Sequence, residues 1–143
     1  MDTDKINDNI KSNDSNLLQN NANLPALLLI EDDVINASVI EKFLNQDYKV
    51  DVAYKSITGI KLAAENNYRL ILIDINLGRG MNGIDVLAEI KKLDRNTNTP
   101  IIASTAYTMK GDKEKLLQAG FDDYISKPYS MDEIGVKIRQ HIK

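Results

Sequence analysis

The sequence predicts an α/β fold: a doubly wound parallel sheet of five strands with helices on both faces. Three observations predict it. Short, wholly apolar runs suit strands buried on both faces. Segments with apolar residues at helical spacing alternate with them. The alternation repeats five times, in units of about 20 to 25 residues, as βα units in a parallel sheet require.

The elements follow in order from residue 25 onward. Residues 26–31 form the first apolar run. A helix is expected over residues 34–44, with Val34, Ala37, Ile40, Phe43 and Leu44 at helical spacing. The second strand is residues 50–53. A helix over residues 56–65 follows, with Ser56 as a candidate N-cap, and Asn66 and Asn67 close it. Residues 70–75 are again apolar except for Asp74 and read as the third strand. The helix over residues 84–93 is expected to turn Ile84, Leu87, Ala88 and Ile90 inward. Pro100 precedes the fourth strand, residues 101–105. A helix over residues 112–119 is closed by Gly120, the residue type favoured at a left-handed C′ position. Residues 124–126 are a short fifth strand. Ser130 and Glu133 have capping-box spacing and open a last helix running to about His141.

Residues 1–23 differ from the rest. They are crowded with Asn, Asp and Ser and hold few apolar side chains, too few to offset the entropy of ordering them. They are expected to form a flexible tail, and residues 24–143 the folded domain. Ile6, Ile10, Leu17 and Leu18 leave open a short helix resting on that domain.

Composition excludes several classes of function. The 143 residues suit one domain, and 43% of them are hydrophobic, enough for a core. With 18 Lys and Arg against 21 Asp and Glu, the net charge is −3, and no basic patch marks a nucleic-acid surface. There is no cysteine, so disulfides, thiolate metal sites and cysteine nucleophiles are out. The single histidine, His141, lies near the end of the sequence, where a catalytic triad would hold it poorly. No apolar run approaches the ~20 residues of a membrane helix, and there is no signal-peptide core. A cytoplasmic protein is expected.

In a doubly wound sheet, ligands sit beyond the C-terminal ends of the strands. Here the first strand runs into Glu31, Asp32 and Asp33, and the third ends at Asp74. The fourth ends at Ser104 and Thr105, and the fifth at Lys127, just before Pro128. Converging carboxylates repel one another, and a cation relieves the repulsion. An all-oxygen donor set suits a hard ion such as Mg²⁺. Lys127 can pair with Asp74 or with an added phosphoryl group, and the Thr105 hydroxyl can donate to a phosphoryl oxygen. These are the parts that phosphoryl transfer to an aspartate requires. Asp33 and Asp85 read instead as turn formers or helix caps.

These residues resemble the response-regulator receiver family of two-component signalling. The resemblance covers residues 25–142. It rests on LLIEDD at residues 28–33, LIDINL at 72–77, ASTA at 103–106 and GFDDYISKP at 120–128. The family implies a flavodoxin-like fold with strand order 2-1-3-4-5. Asp74 would accept the phosphoryl group. Asp32, Asp74 and the backbone carbonyl of Asn76 would hold Mg²⁺, with Glu31 acting partly through water. Thr105 and Lys127 would bind the phosphoryl oxygens, and the Lys127–Pro128 bond would be cis. Thr105 and Tyr124 would form the switch. A sensor histidine kinase or histidine phosphotransfer protein would be the donor. The output would reach a partner protein through the face of the fourth helix, fifth strand and fifth helix, since this length leaves no room for an output domain. Tyr107, two residues beyond Thr105, either narrows water access to the crevice or lines the output surface.

One departure is the segment after Asp74. It is about one residue longer than the family's commonest loop and has Gly78 where proline is frequent. The same segment holds a formal G-x-G-x-x-G at residues 78–83, the pattern of a dinucleotide site. Its first glycine comes four residues after Asp74, too late for the tight turn, and no acidic residue ends the next strand. An aspartyl-phosphate hydrolase is disfavoured because position 76 is Asn, with no acid/base there. A receiver-like docking scaffold without phosphoryl chemistry is the remaining alternative.

Overall fold

The computed structural model describes residues 23–78, 80–106 and 110–142. Of the tail expected over residues 1–23, residues 1–22 lie outside the described residues, as does Tyr107. Within them five strands alternate with five helices: β1 (Ala26–Ile30), α1 (Val34–Leu44), β2 (Lys49–Ala53), α2 (Ser56–Glu65), β3 (Leu70–Asp74), α3 (Gly83–Lys91), β4 (Ile101–Thr105), α4 (Asp112–Ala119), β5 (Asp123–Ser126) and α5 (Met131–His141). All strand pairs are parallel, in the order β2-β1-β3-β4-β5. The expected fold class and strand order are both found.

Side-chain alternation along each strand divides the core in two. Leu28 and Ile30 of β1, Ile71 and Ile73 of β3, and Ile101 and Ala103 of β4 point to one face. There they meet Ala63 of α2, Val86, Leu87 and Ile90 of α3, and Leu116 of α4. Leu27, Leu29, Leu70, Leu72 and Ile102 point to the other face, against Ala37, Ile40 and Leu44 of α1 and Ile134 and Ile138 of α5. The central strands β3 and β4 are buried along their whole length, which is why their sequences read as unbroken apolar runs.

The helix ends are set by local chemistry. The Asp33 side chain caps α1, accepting from the Asn36 N–H at 3.0 Å. Asn82 and Asp85 form a reciprocal capping box at the start of α3. Ser130 accepts from the Glu133 N–H at α5, and Gly120 ends α4 with φ of 116°.

Two expectations fail here. Ser56 is not the cap of α2; Lys55 occupies that position with no side-chain cap bond, and the Ser56 hydroxyl donates elsewhere. In α3 the inward stripe is Gly83, Val86, Leu87 and Ile90, while Ile84 and Ala88 face solvent. The helix starts one residue earlier than its first apolar residue, because the close approach of Gly83 to β3 sets its rotation. A Cβ on Gly83 would meet the Asp74 carbonyl oxygen at 2.6 Å. Among the described residues, no helix is long and apolar enough to cross a membrane.

Candidate functional site

The strand register brings the carboxylates together. Ile30 pairs with Ile73, so Glu31 and Asp74, one step further on, stand abreast at the C-terminal edge of the sheet. Both are 2% exposed. Asp32 follows on the β1–α1 turn and is exposed. Oxygens of Glu31, Asp32 and Asp74 all lie within 4.8 Å of one another.

Lys127 closes the other side. β5 delivers it next to Thr105, to whose carbonyl its N–H donates at 2.7 Å. Its Nζ lies 3.1 Å from Asp74 Oδ2 and 3.8 Å from Glu31 Oε2. The second Asp74 oxygen, Oδ1, accepts from the Asn76 N–H at 3.0 Å. Thr105 is fully buried at the end of β4, one residue beyond Ser104, the partner of Asp74. The Lys127–Pro128 peptide bond is cis, as the resemblance implies.

Electrostatics mark the crevice as short of positive charge. Burial, and then the neighbouring Asp74 carboxylate, push the Glu31 carboxyl from 4.5 up to about 7, against the pull of Lys127. Burial opposes the charge on Lys127, but Asp74 and Glu31 outweigh it and hold its ammonium above the usual lysine range. One lysine thus faces two buried carboxylates and a third exposed one. Three carboxylates with no cysteine or histidine grouped with them among the described residues fit a hard divalent cation that keeps part of its water shell.

Tyr124 stands apart from the crevice. It pairs with Ala103 across the β4–β5 ladder, on the sheet face that Thr105 shares by alternation. Half-buried against the core, its ring carries the Lys113 Nζ 5.8 Å from its centroid.

Three contacts were not foreseen from the sequence. The Gly78 N–H donates to Asp32 Oδ2 at 2.8 Å. The Ser56 hydroxyl donates to the Met81 carbonyl at 2.9 Å. Ser104 Oγ lies 3.5 Å from the Tyr129 hydroxyl, whose proton is held more tightly by burial. The aromatic after Lys127 and Pro128 was a signal for the last; backbone donors such as Gly78 leave none.

Residues 27–139 match the response regulator receiver domain family. The chain belongs to that family. This receiver is 36% identical over 118 residues to the response regulator ArlR of Staphylococcus saprophyticus, covering 82% of this chain and 52% of that one. It is 38% identical over 124 residues to the aerobic respiration control sensor protein ArcB of Escherichia coli, covering 82% of this chain and 15% of that one. The chain thus spans about half the length, or less, of the curated relatives it matches. Among solved structures it resembles the receiver domain of a sensor histidine kinase from Pseudomonas aeruginosa, with a magnesium ion coordinated in that protein's active-site cleft. The two share 33% identity and a TM-score of 0.75, covering 82% of this chain and 97% of the other. The chemotaxis protein CheY4 of Vibrio cholerae has the same fold, with a TM-score of 0.78 at 18% identity, over 83% of this chain and 99% of that one.

Proposed function

We propose that this receiver accepts a phosphoryl group on Asp74 from a phosphohistidine donor and passes the change to a partner protein. The observation that carries the reading is the convergence of Glu31, Asp32 and Asp74 opposite the Lys127 ammonium. A sensor histidine kinase or a histidine phosphotransfer protein supplies the group. An Asp74 carboxylate oxygen attacks phosphorus in line with the scissile bond. The P–N bond to the donor imidazole breaks, and its electron pair stays on the nitrogen. Asp32, Asp74, the Asn76 carbonyl and, partly through water, Glu31 would hold Mg²⁺, which supplies charge screening between acceptor and donor oxygens.

The chain's own residues do the rest. Lys127 leaves its pairing with Asp74 for a phosphoryl oxygen, and the Thr105 hydroxyl donates to another. Asn76, at the position where an acid/base would drive hydrolysis, offers no proton. The added charge, up to about two units, biases Thr105 and then Tyr124 toward a second packing. The surface of α4, β5 and α5 changes with Tyr124, and that is where the partner binds. Residues 24–143 form the receiver unit.

Intact-mass measurement after incubation with acetyl phosphate tests this. A Mg²⁺-dependent gain of one phosphoryl group, absent in Asp74→Asn, supports the reading. No gain and no Mg²⁺ binding would leave a docking scaffold.

A further inference from the structure

The chain that follows β3 is tied down by contacts beyond those of Asp74 and Lys127. The Gly78 N–H reaches across 46 residues of sequence to Asp32 Oδ2, at 2.8 Å. Ser56, in the first turn of α2, donates its hydroxyl to the Met81 carbonyl at 2.9 Å. At the base, the Gly83 N–H returns to the Ile75 carbonyl at 3.1 Å. Contacts at Gly78, Met81 and Gly83 thus tie this segment to the β1–α1 turn, to α2 and to the residue that follows β3 in turn.

Asp32 needs such a tie. It is exposed, and an exposed aspartate samples several rotamers unless something holds it. A carboxylate has about four lone-pair sites. The Gly78 N–H takes one on Oδ2, which fixes the carboxylate plane and leaves the other positions open to a cation. Only a residue with a backbone N–H can do this, and proline has none. A side chain at position 78 would disturb the same contact, because a Cβ built there would come 2.8 Å from Asp32 Oδ2 and the exposed carboxylate would have to turn away. Ser56 matters for the same geometry at one remove. Its bond to Met81 spans 25 residues and holds the far flank of the segment that presents Gly78.

We propose that Gly78 and Ser56 are positioning residues of the divalent-cation site, Gly78 orienting Asp32 and Ser56 keeping Gly78 in place. The proposal rests on the reading of Glu31, Asp32 and Asp74 as cation ligands. The physical effect is pre-organisation: a carboxylate already oriented loses less freedom when the ion arrives.

Mg²⁺ binding to metal-stripped protein, measured by calorimetry for the wild type, Ser56→Ala, Ser56→Thr and Gly78→Pro, decides it. Thermal melts in EDTA of the same proteins accompany the titrations. Loss of one oriented hydrogen bond is expected to weaken Mg²⁺ binding roughly three- to tenfold in Ser56→Ala, and at least as much in Gly78→Pro, whose Cβ also displaces the Asp32 carboxylate. Ser56→Thr, which keeps the hydroxyl, is expected to bind as the wild type does. The EDTA melts check that each variant is folded at the titration temperature: the lost bond is expected to lower the Ser56→Ala melt by only a few degrees, so weaker binding there comes from a folded protein. The Gly78 amide proton should be protected from exchange in the metal-free wild type and lose protection in Ser56→Ala. Should Gly78→Pro fail to fold, the two Ser56 variants still decide. Unchanged affinity in Ser56→Ala, or equal weakening in Ser56→Thr, overturns the positioning role alone. A wild type that binds no Mg²⁺ overturns the cation site, and this proposal with it.

Discussion

Lys127 Nζ lies 3.1 Å from Asp74 Oδ2, and the same ammonium is the counter-charge, 3.8 Å away, for buried Glu31. Replacing it by glutamine leaves two carboxylates facing each other with no cation. Breaking a buried pair on one side is costly, and the part-exposed lysine reduces that cost. Lys127→Gln is expected to lower the stability of the metal-free protein by about 1–2 kcal/mol, with most of it regained in saturating Mg²⁺. Urea unfolding with and without Mg²⁺ measures this. Equal stability of the variant and the wild type in EDTA would show that the carboxylates do not depend on Lys127.

The Glu31 carboxyl sets a pH dependence of unusual sign. Burial and the Asp74 charge raise it from 4.5 to about 7 in the folded protein. Between those values the folded state binds a proton that the unfolded state has released. Stability contributed by this group is therefore fully present below about pH 4.5 and is lost as pH rises towards 7. In EDTA, the wild type should lose stability over that window relative to Glu31→Gln, which has no such proton. Parallel stability profiles for the two proteins would contradict it.

The sequence carried the fold because the central strands β1, β3 and β4 announce their burial. Runs such as residues 70–73 have no polar member, so strand and sheet type were legible together. The site was legible for a related reason: Glu31, Asp32, Asp74, Thr105 and Lys127 end or follow strands, and a parallel sheet gathers strand ends at one edge. Hidden were the contacts made by backbone groups or by side chains reaching across loops. Ser56 looked like a helix cap because serine at a helix start usually is one. Its hydroxyl instead finds the Met81 carbonyl, a partner that exists only once the chain after β3 has folded over α2. Ile84 and Ala88 were misplaced because spacing fixes a stripe only to within a rotation, and Gly83 against Asp74 fixes that rotation.

Asn96 is a second case of tertiary structure outrunning pattern, in a stretch that reads as plain polar loop. Its φ of 62° is in the left-handed region, which Asn tolerates better than most residues. Its side-chain oxygen accepts from the Tyr68 N–H at 2.8 Å and lies 3.1 Å from the Thr99 hydroxyl, whose single proton is nearer the Tyr68 carbonyl, and its amide donates to the Ala63 and Asn66 carbonyls. Asn96→Ala removes these bonds and is expected to cost about 2–4 kcal/mol. Asn96→Gly loses the same bonds but no backbone comfort, so it should lie closer to the wild type in denaturant melts. A cost below that of an ordinary surface change would show that the hub is not structural.

At the opposite end of β5 from Lys127, Asp123 ties the strand to α5. Burial alone would raise its carboxyl, but the bond from His141 at 2.8 Å, the Tyr124 N–H at 2.8 Å and Lys137 at 3.2 Å outweigh it and lower it. The folded value lies below the unfolded one, so the stabilisation is present above the unfolded value, about 3.9, and is lost as pH falls through the folded one. Asp123→Asn should cost roughly 0.5–1 kcal/mol near neutrality. The gap from the wild type should close below about pH 4. A gap independent of pH would assign the cost to packing, not charge.

On the proposed mechanism, Thr105 separates chemistry from output. It is fully buried and shares a sheet face with Tyr124. Thr105→Val keeps a branched side chain of similar volume and removes only the hydroxyl. Asp74 and Lys127 remain, so acetyl phosphate should still phosphorylate the variant in the presence of Mg²⁺. On that mechanism, loss of the hydroxyl leaves nothing to draw residue 105 toward the phosphoryl oxygens, and Tyr124 keeps its first packing. In ¹H–¹⁵N spectra of the wild type, residues around Tyr124 on β5, and Lys113 above its ring, should shift on phosphorylation. In Thr105→Val the shifts should persist at Asn76 and Gly78, next to the acceptor, and vanish at Tyr124. If Tyr124 responds equally in both proteins, the signal reaches the α4–β5–α5 face by another route, and the role assigned to Thr105 is wrong.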